Sequence, residues 1–398
     1  MKRVVILCVW LFSVVAGHAQ LSLDECRRLA RENYPEIRQY DLVHQTEQYN
    51  LSNAARAWIP QLAFSAQATW QTDAPNFPKE LTGMLAQQGL EIPGLRKDQY
   101  KVALELNQTI WDGGKSVADK RIARAEAAEQ KTMTDVDLYE LEGRVDDLYF
   151  GILLLDERIA QTNLTLNLLR SNLEKVRALQ RNGVAMQSDA DVLEAELLSV
   201  GQQLIQFESS CDSYRRMLGI FIGQKVGDRK LQHPSAVQPL SGESARPELA
   251  MFAAKIDRLT AQEKMVKSSS MPRLGFFAQG YYGYPGLDYM QSMMNNDWSW
   301  NAMLGVKLSW NFGAYYTQKN NLNKLRTSRQ QVEVQRDVFL FNMNLQAAQE
   351  NGDIARLRKA IADDDRIVAL RRSVREAAES KLRNGIIDTH DLLSKITD

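Results

Sequence analysis

Once a hydrophobic leader is set aside, the chain holds three histidines, His44, His233 and His390, and only His390 has an acidic neighbour, Asp391. A His and Asp pair could relay protons. Adjacent residues on a helix point in different directions, so this pair reads as two separate groups. The sequence contains no Gly-rich phosphate loop, no nucleophile elbow and no HExxH pair for a metal. Cys26 and Cys211 are too few for a disulfide framework and lack metal-ligand spacing. No enzyme, cofactor or metal site is expected from these residues.

A second pattern is more informative. Asn182-Gly183-Val184 and Asn384-Gly385-Ile386 follow an arginine and interrupt long, charge-rich helical stretches, and each glycine is followed six residues later by an aspartate, Asp189 or Asp391. Glycine accepts positive φ and so ends or reverses a helix. Asp189 is placed to cap the helix that returns.

The elements around these sites begin with an export signal. Lys2 and Arg3 precede an apolar run to Ala16, and Gly17-His18-Ala19 supplies small residues for cleavage after Ala19. The run is shorter than the ~20 residues a membrane helix needs. Cys26 lacks the preceding apolar and small residues of a lipid-anchor signal. Over the whole chain 49 basic residues balance 49 acidic ones. That balance gives no global field for nucleic acid, and no nucleic-acid partner is expected.

The chain is an internal repeat. Tyr34-Pro35-Glu36 recurs as Arg246-Pro247-Glu248, and Ile59-Pro60-Gln61-Leu62 as Met271-Pro272-Arg273-Leu274, both offset by 212. The offset falls to 200 between Ile110-Trp111-Asp112-Gly113 and Trp310-Asn311-Phe312-Gly313, and is 202 at the two glycine breaks. The reading is a signal peptide at 1–19, a first repeat at 20–223, a linker at 224–245 and a second repeat at 246–398.

Each repeat has one plan. A first helical segment, at about 25–57 or 247–269, leads into two alternating strands, about 60–72 and 98–111, then 272–284 and 298–311. Leu62, Phe64, Ala66, Ala68 and Trp70 alternate with polar residues, as do Tyr100, Val102, Leu104 and Leu106, and Trp298, Trp300, Leu304, Val306, Leu308 and Trp310. Residues 73–98 and 285–297 read as turn-rich loops. Strands of this length and dyad pattern fit a transmembrane β-barrel with aromatic ends at Trp70, Trp111, Trp298, Trp300 and Trp310. They also fit a half-buried soluble sheet.

Long helices follow, at about 114–182 and 313–384. In the first, Leu141, Val145, Leu148, Ile152, Leu155 and Ile159 recur at alternating spacings of 4 and 3, and the seam continues through Thr162, Leu166, Leu169, Leu173 and Val176. That is a coiled-coil heptad. A helix of roughly 68 residues would be about 100 Å long. The second seam, less regular, includes Leu322, Leu325, Val332, Phe339, Ile354, Leu357, Ile361 and Val374. The first repeat has a return helix at about 186–219; in the second that helix is expected to be cut short.

Four membrane-like strands cannot close a barrel, and open edges in lipid leave backbone groups unsatisfied. Three copies would supply twelve strands, an even number within the range of outer-membrane barrels. The expected architecture is mainly α with membrane β: a duplicated helix-strand-strand-long helix-helix repeat, a coiled-coil α-barrel and a twelve-stranded trimeric β-barrel.

The chain start LSLDECRRLARENYPEI, the WIPQL that opens a strand, IWDGG before a long helix, and the twice-used RNG break resemble the TolC family of outer-membrane efflux channels, over essentially the full exported chain. The resemblance implies a homotrimer in outer-membrane lipid with a helical tunnel through the periplasm, joined by a periplasmic adaptor (membrane fusion protein) to an inner-membrane transporter. Conduction would be passive, for efflux or type I secretion.

The resemblance also implies roles for residues. Asn182, Gly183, Val184, Asn384, Gly385 and Ile386 would be tip turns facing the adaptor. Asp391 would line the closed periplasmic entrance, with Asp189 at the equivalent position of the first repeat. The chain departs from the family at Ser394, where a second acid is expected, and at Ile387, where an arginine helps hold the gate shut. The alternative to a channel is a periplasmic coiled-coil adaptor or scaffold without a pore.

Overall fold

A computed structural model describes residues 20–90, 92–234, 245–384 and 386–387. The expected leader at 1–19, Gly385, Asp391 and Ser394 lie outside the described residues.

Ser22 starts the first helix, its hydroxyl accepting from the Glu25 N–H at 3.3 Å. Helix α1 (Leu23–Asn33) stops before Pro35, which has no N–H to continue the ladder. A 3₁₀ turn, Pro35–Arg38, leads into α2 (Gln39–Arg56). The single helix expected over about 25–57 is therefore two helices, divided by the proline.

The order continues as β1 (Gln61–Trp70), α3 (Lys79–Gln87), β2 (Asp98–Trp111), α4 (Lys115–Arg181) and α5 (Gln187–Ile222). The second half runs α6 (Pro247–Ser268), β3 (Arg273–Tyr284), α7 (Tyr289–Asn295), β4 (Ser299–Ser309) and α8 (Gly313–Arg383). Helices α3 and α7 lie where the sequence reads as turn-rich loops. The Asp288 carboxylate starts α7 by accepting from the Gln291 N–H at 3.0 Å, and Asn296 ends it at φ 55°. Caps this local are masked by the surrounding proline and glycine signals.

The chain divides into two compact units, one gathering residues up to Arg38, Thr134–Pro247 and the chain from Asp337, the other Gln39–Met133 and Glu248–Arg336. In the first, Leu138, Leu141, Val145, Tyr149 and Ile152 are fully buried along α4. Further along, Leu166, Leu169, Leu173 and Val176 pack against Ala190, Leu193 and Val200 of α5. Each such leucine, isoleucine or valine contributes roughly 1.5–3 kcal/mol when withdrawn from water. The α8 seam divides differently: Leu322, Leu325, Val332 and Phe339 are half-buried, whereas Ile354, Leu357, Ile361 and Val374 are exposed. Heptad spacing identifies the face; among the described residues it lies open from Ile354 to Val374 and is covered again at Ala378.

The second unit holds a four-stranded antiparallel sheet in the order β1-β2-β3-β4. The central β2 and β3 come from different repeats, and β1 and β4 form its edges. No helix among the described residues is long and apolar enough to cross a membrane.

Candidate channel wall and helix turns

Register makes the sheet two-faced. Phe64 stands opposite Leu104, Leu104 opposite Gly280, and Gly280 opposite Ala302. Two residues along, Ala66, Val102, Tyr282 and Trp300 align in the same way. Since side chains alternate strictly across a strand, Leu62, Phe64, Leu106, Leu274, Phe276, Val306 and Leu308 share that face. It is apolar and open to its surroundings, with Phe64 74%, Leu304 75% and Trp300 82% exposed.

Aromatic side chains cluster at both ends. At one, Tyr100 stacks on Trp298 at 5.6 Å between ring centroids, and Tyr282 lies 5.4 Å from Trp298 and 5.0 Å from Trp300. Trp70 ends β1 beside them, 71% exposed. At the other end are Trp111 and Trp310, the latter 4.8 Å from Phe312. Trp300 and Trp310 are ten residues apart. At ~3.3 Å per residue they are ~33 Å apart along the strand. Tilting the strand by ~40° brings that to ~25 Å, the height of the apolar band of a membrane barrel.

The opposite face is polar. Lys101 Nζ donates to Gln279 Oε1 at 3.0 Å, and the Gln279 amide donates in turn to the Glu105 carboxylate. Lys101 also sits 4.5 Å from the centre of the Tyr281 ring. Gln279 is the residue that strand-by-strand reading misses, because Gly275, Gly280 and Gly283 blur the alternation of β3. Counting odd positions from Arg273 recovers it.

Strand meets helix through an Asx turn in both repeats. One oxygen of Asp112 accepts from the Gly114 N–H at 2.9 Å, the other from the Ser116 N–H at 2.7 Å and from the Ser116 hydroxyl. Burial pushes the Asp112 carboxyl up, but the donors from Ser116 and Gly114 outweigh it and hold the group below its usual value. In the second repeat Asn311 Oδ1 accepts from the Gly313 N–H at 3.0 Å. Asp112 thus corresponds to Asn311 and Trp111 to Trp310, one residue away from the pairing that sequence similarity suggests. Gly113, at φ 69°, is needed on two counts, since a Cβ there would lie 2.7 Å from the Met271 Cβ.

The Gly183 break is a helix C-cap. The Val184 N–H donates to the Leu179 carbonyl and the Gly183 N–H to that of Gln180, each at 2.9 Å, with Gly183 at φ 74°. This is a Schellman motif. The Ile386 N–H repeats the longer bond, to the Lys381 carbonyl at 2.9 Å, and Asn384 N–H donates to the Ser380 carbonyl at 3.2 Å. Asn182 lies between α4 and the turn, its N–H donating to the Leu179 carbonyl at 3.1 Å. Asp189 reaches back to the Met186 N–H at 2.9 Å and so caps α5. Val184 and Ile386 are exposed.

A mainly helical chain with a small two-faced antiparallel sheet is the architecture of outer-membrane channels that combine a helical barrel with a β-barrel part. The outer membrane efflux protein family's sequence model matches residues 27–223. The chain belongs to that family, whose channels sit in the outer membrane and extend into the periplasm. The outer membrane protein VceC of Vibrio cholerae shares 15% identity at a TM-score of 0.69, over 94% of this chain and 89% of that one. CusC shares 13% identity at a TM-score of 0.70, over 95% and 86%. The open-state MtrE outer membrane channel of Neisseria gonorrhoeae shares 15% identity at a TM-score of 0.61, over 94% and 82%. At these identities the likeness is one of fold. No curated protein matches the chain significantly in sequence.

Proposed function

We propose that three copies of this chain close their four-stranded sheets edge to edge into a twelve-stranded barrel and conduct substrates passively out of the cell. The observation that carries this reading is the register-matched apolar face bounded by two open edges, β1 and β4. An exposed apolar sheet face suits lipid, and unpaired edges in lipid demand neighbouring strands. Trp70, Trp111, Trp298, Trp300 and Trp310 would then sit at the membrane interfaces.

A periplasmic adaptor and an inner-membrane transporter complete the path, the transporter supplying the energy. Asn182, Gly183 and Val184, with Asn384, Gly385 and Ile386, form the turns that meet the adaptor. Asp391, with Ser394 nearby, lines the periplasmic entrance, where three like charges would attract cations. The test is detergent extraction followed by mass measurement and planar-bilayer recording. A trimer from the outer-membrane fraction that conducts supports the reading; a soluble periplasmic monomer overturns it.

A further inference from the structure

On the polar face of the sheet, beside the start of α4, lies a cavity of about 570 Å³ lined by Arg273, Lys307, Gln279, Phe277 and Met303 among others. The other charged side chains around it, one lysine and three carboxylates, each have a hydrogen-bond or ion-pair partner. Lys115 pairs with Asp119 at 2.9 Å, Asp112 is taken up by Ser116 and Gly114, and Glu105 accepts from Gln279. Arg273 and Lys307 have no acidic partner among the described residues. They are diagonal neighbours, since Arg273 faces Ser309 and Lys307 faces Gly275. That geometry puts their Cβ atoms roughly 7 Å apart. Beside these two cations, Phe277 and Met303 offer apolar surface on the same face.

We propose that this cavity is a subsite for the anionic group of an amphipathic organic anion passing along the lumen, and that such anions are a cargo class of the channel. The proposal rests on the conduit reading, in which the polar face lines the pore. Arg273 supplies a planar fork for a carboxylate or sulfonate, Lys307 a second positive charge, and Phe277 and Met303 contact for the apolar body. Three copies would form a cationic ring within the barrel, where low-dielectric walls focus the field.

The test uses the full-length detergent-solubilised protein, with 2-naphthalenesulfonate as probe and N-methylquinolinium as its cationic counterpart. Binding is read by fluorescence, and permeability to each ion in planar bilayers. The naphthalenesulfonate should bind in preference to the cation, and the Arg273→Gln/Lys307→Gln pair should weaken it roughly tenfold, the scale of charge focusing in a cleft. The same variant should shift permeability from anions towards cations at unchanged open-channel frequency. Equal binding of both probes, or binding and permeability unmoved by the variant, overturns the subsite. Charge-dependent binding by a protein that never conducts keeps the subsite and removes the conduit instead.

Discussion

The indole N–H of Trp310 donates to the main-chain carbonyl of Ser270 at 3.0 Å, tying the end of the second strand of its repeat to a residue three positions before the first. The first repeat makes the same tie with different chemistry, Gln108 Nε2 donating to the Trp58 carbonyl at 2.6 Å. Ser270 is held twice, because Gln318 donates to its hydroxyl at 2.8 Å. Trp310→Phe keeps the ring and removes the donor, leaving the carbonyl of a residue that is 1% exposed unsatisfied. The loss expected is about 1–3 kcal/mol. Urea unfolding of the detergent-solubilised protein checks it, and an unchanged midpoint would show that the tie is incidental.

That pair also marks where the fold stops being legible. The seam from Leu141 to Val176 could be read because a period near 3.5 leaves its trace in every turn. The Gly183 break was legible because glycine suits its left-handed backbone better than any other residue type. Pairing of β2 with β3 could not be read, since Leu104 and Gly280 carry no mark of each other across the intervening helices. The one-residue error that paired Asp112 with Phe312 rather than Asn311 has the same origin: similarity aligned the glycines, whereas the fold aligns the side chains that accept from the backbone.

The Gly183 position isolates a backbone effect. Its φ is 74°, and a Cβ built there meets nothing within 4 Å. Gly183→Ala therefore costs only the left-handed conformation, ~1 kcal/mol, while Gly183→Asn costs less because asparagine enters that region readily. Unfolding midpoints ranked glycine, asparagine, alanine would bear this out. Equal destabilisation by both variants would instead point to a contact at the turn.

Asp112 links stability to acid. Its folded carboxyl lies below its usual value, so the stability it contributes is present at pH above about 4 and is lost as pH falls through the folded value. Asp112→Ala removes a helix-start acceptor worth about 0.5–2 kcal/mol near neutrality. The gap between wild type and variant should close as the unfolding series is taken down to pH 2. A gap that stays constant with pH would mean that side-chain packing, not charge, carries the effect.

At the alkaline end two buried groups act together. The one hydroxyl proton of Tyr149 is shared between the carbonyls of Leu21 and Gln232, each at 2.7 Å from the phenol oxygen, and burial pushes its phenol up to about 12. Cys26 is fully buried, and burial, with the Glu25 charge adding to it, pushes its thiol up to about 12 as well. Both fold as the neutral form. Their stability is complete below the unfolded values, about 8.5 for the thiol and about 10 for the phenol, and drains away as pH rises from there towards 12. Native protein should accordingly resist iodoacetamide at Cys26 at pH 8 and become reactive only on unfolding. Tyr149→Phe should lose about 1–3 kcal/mol at neutral pH, because the phenol's donor is gone. It should also flatten the fall in stability above pH about 10, where each unit costs the wild type up to ~1.4 kcal/mol for this group alone. Cys26→Ser in the same background removes the part that begins near pH 8.5, so the two contributions separate along the pH axis. If the Tyr149→Phe profile stays parallel to wild type above pH 10, the phenol is not the group that titrates, and its contacts with Leu21 and Gln232 serve only to hold the residues just before α1 against the segment at Leu231.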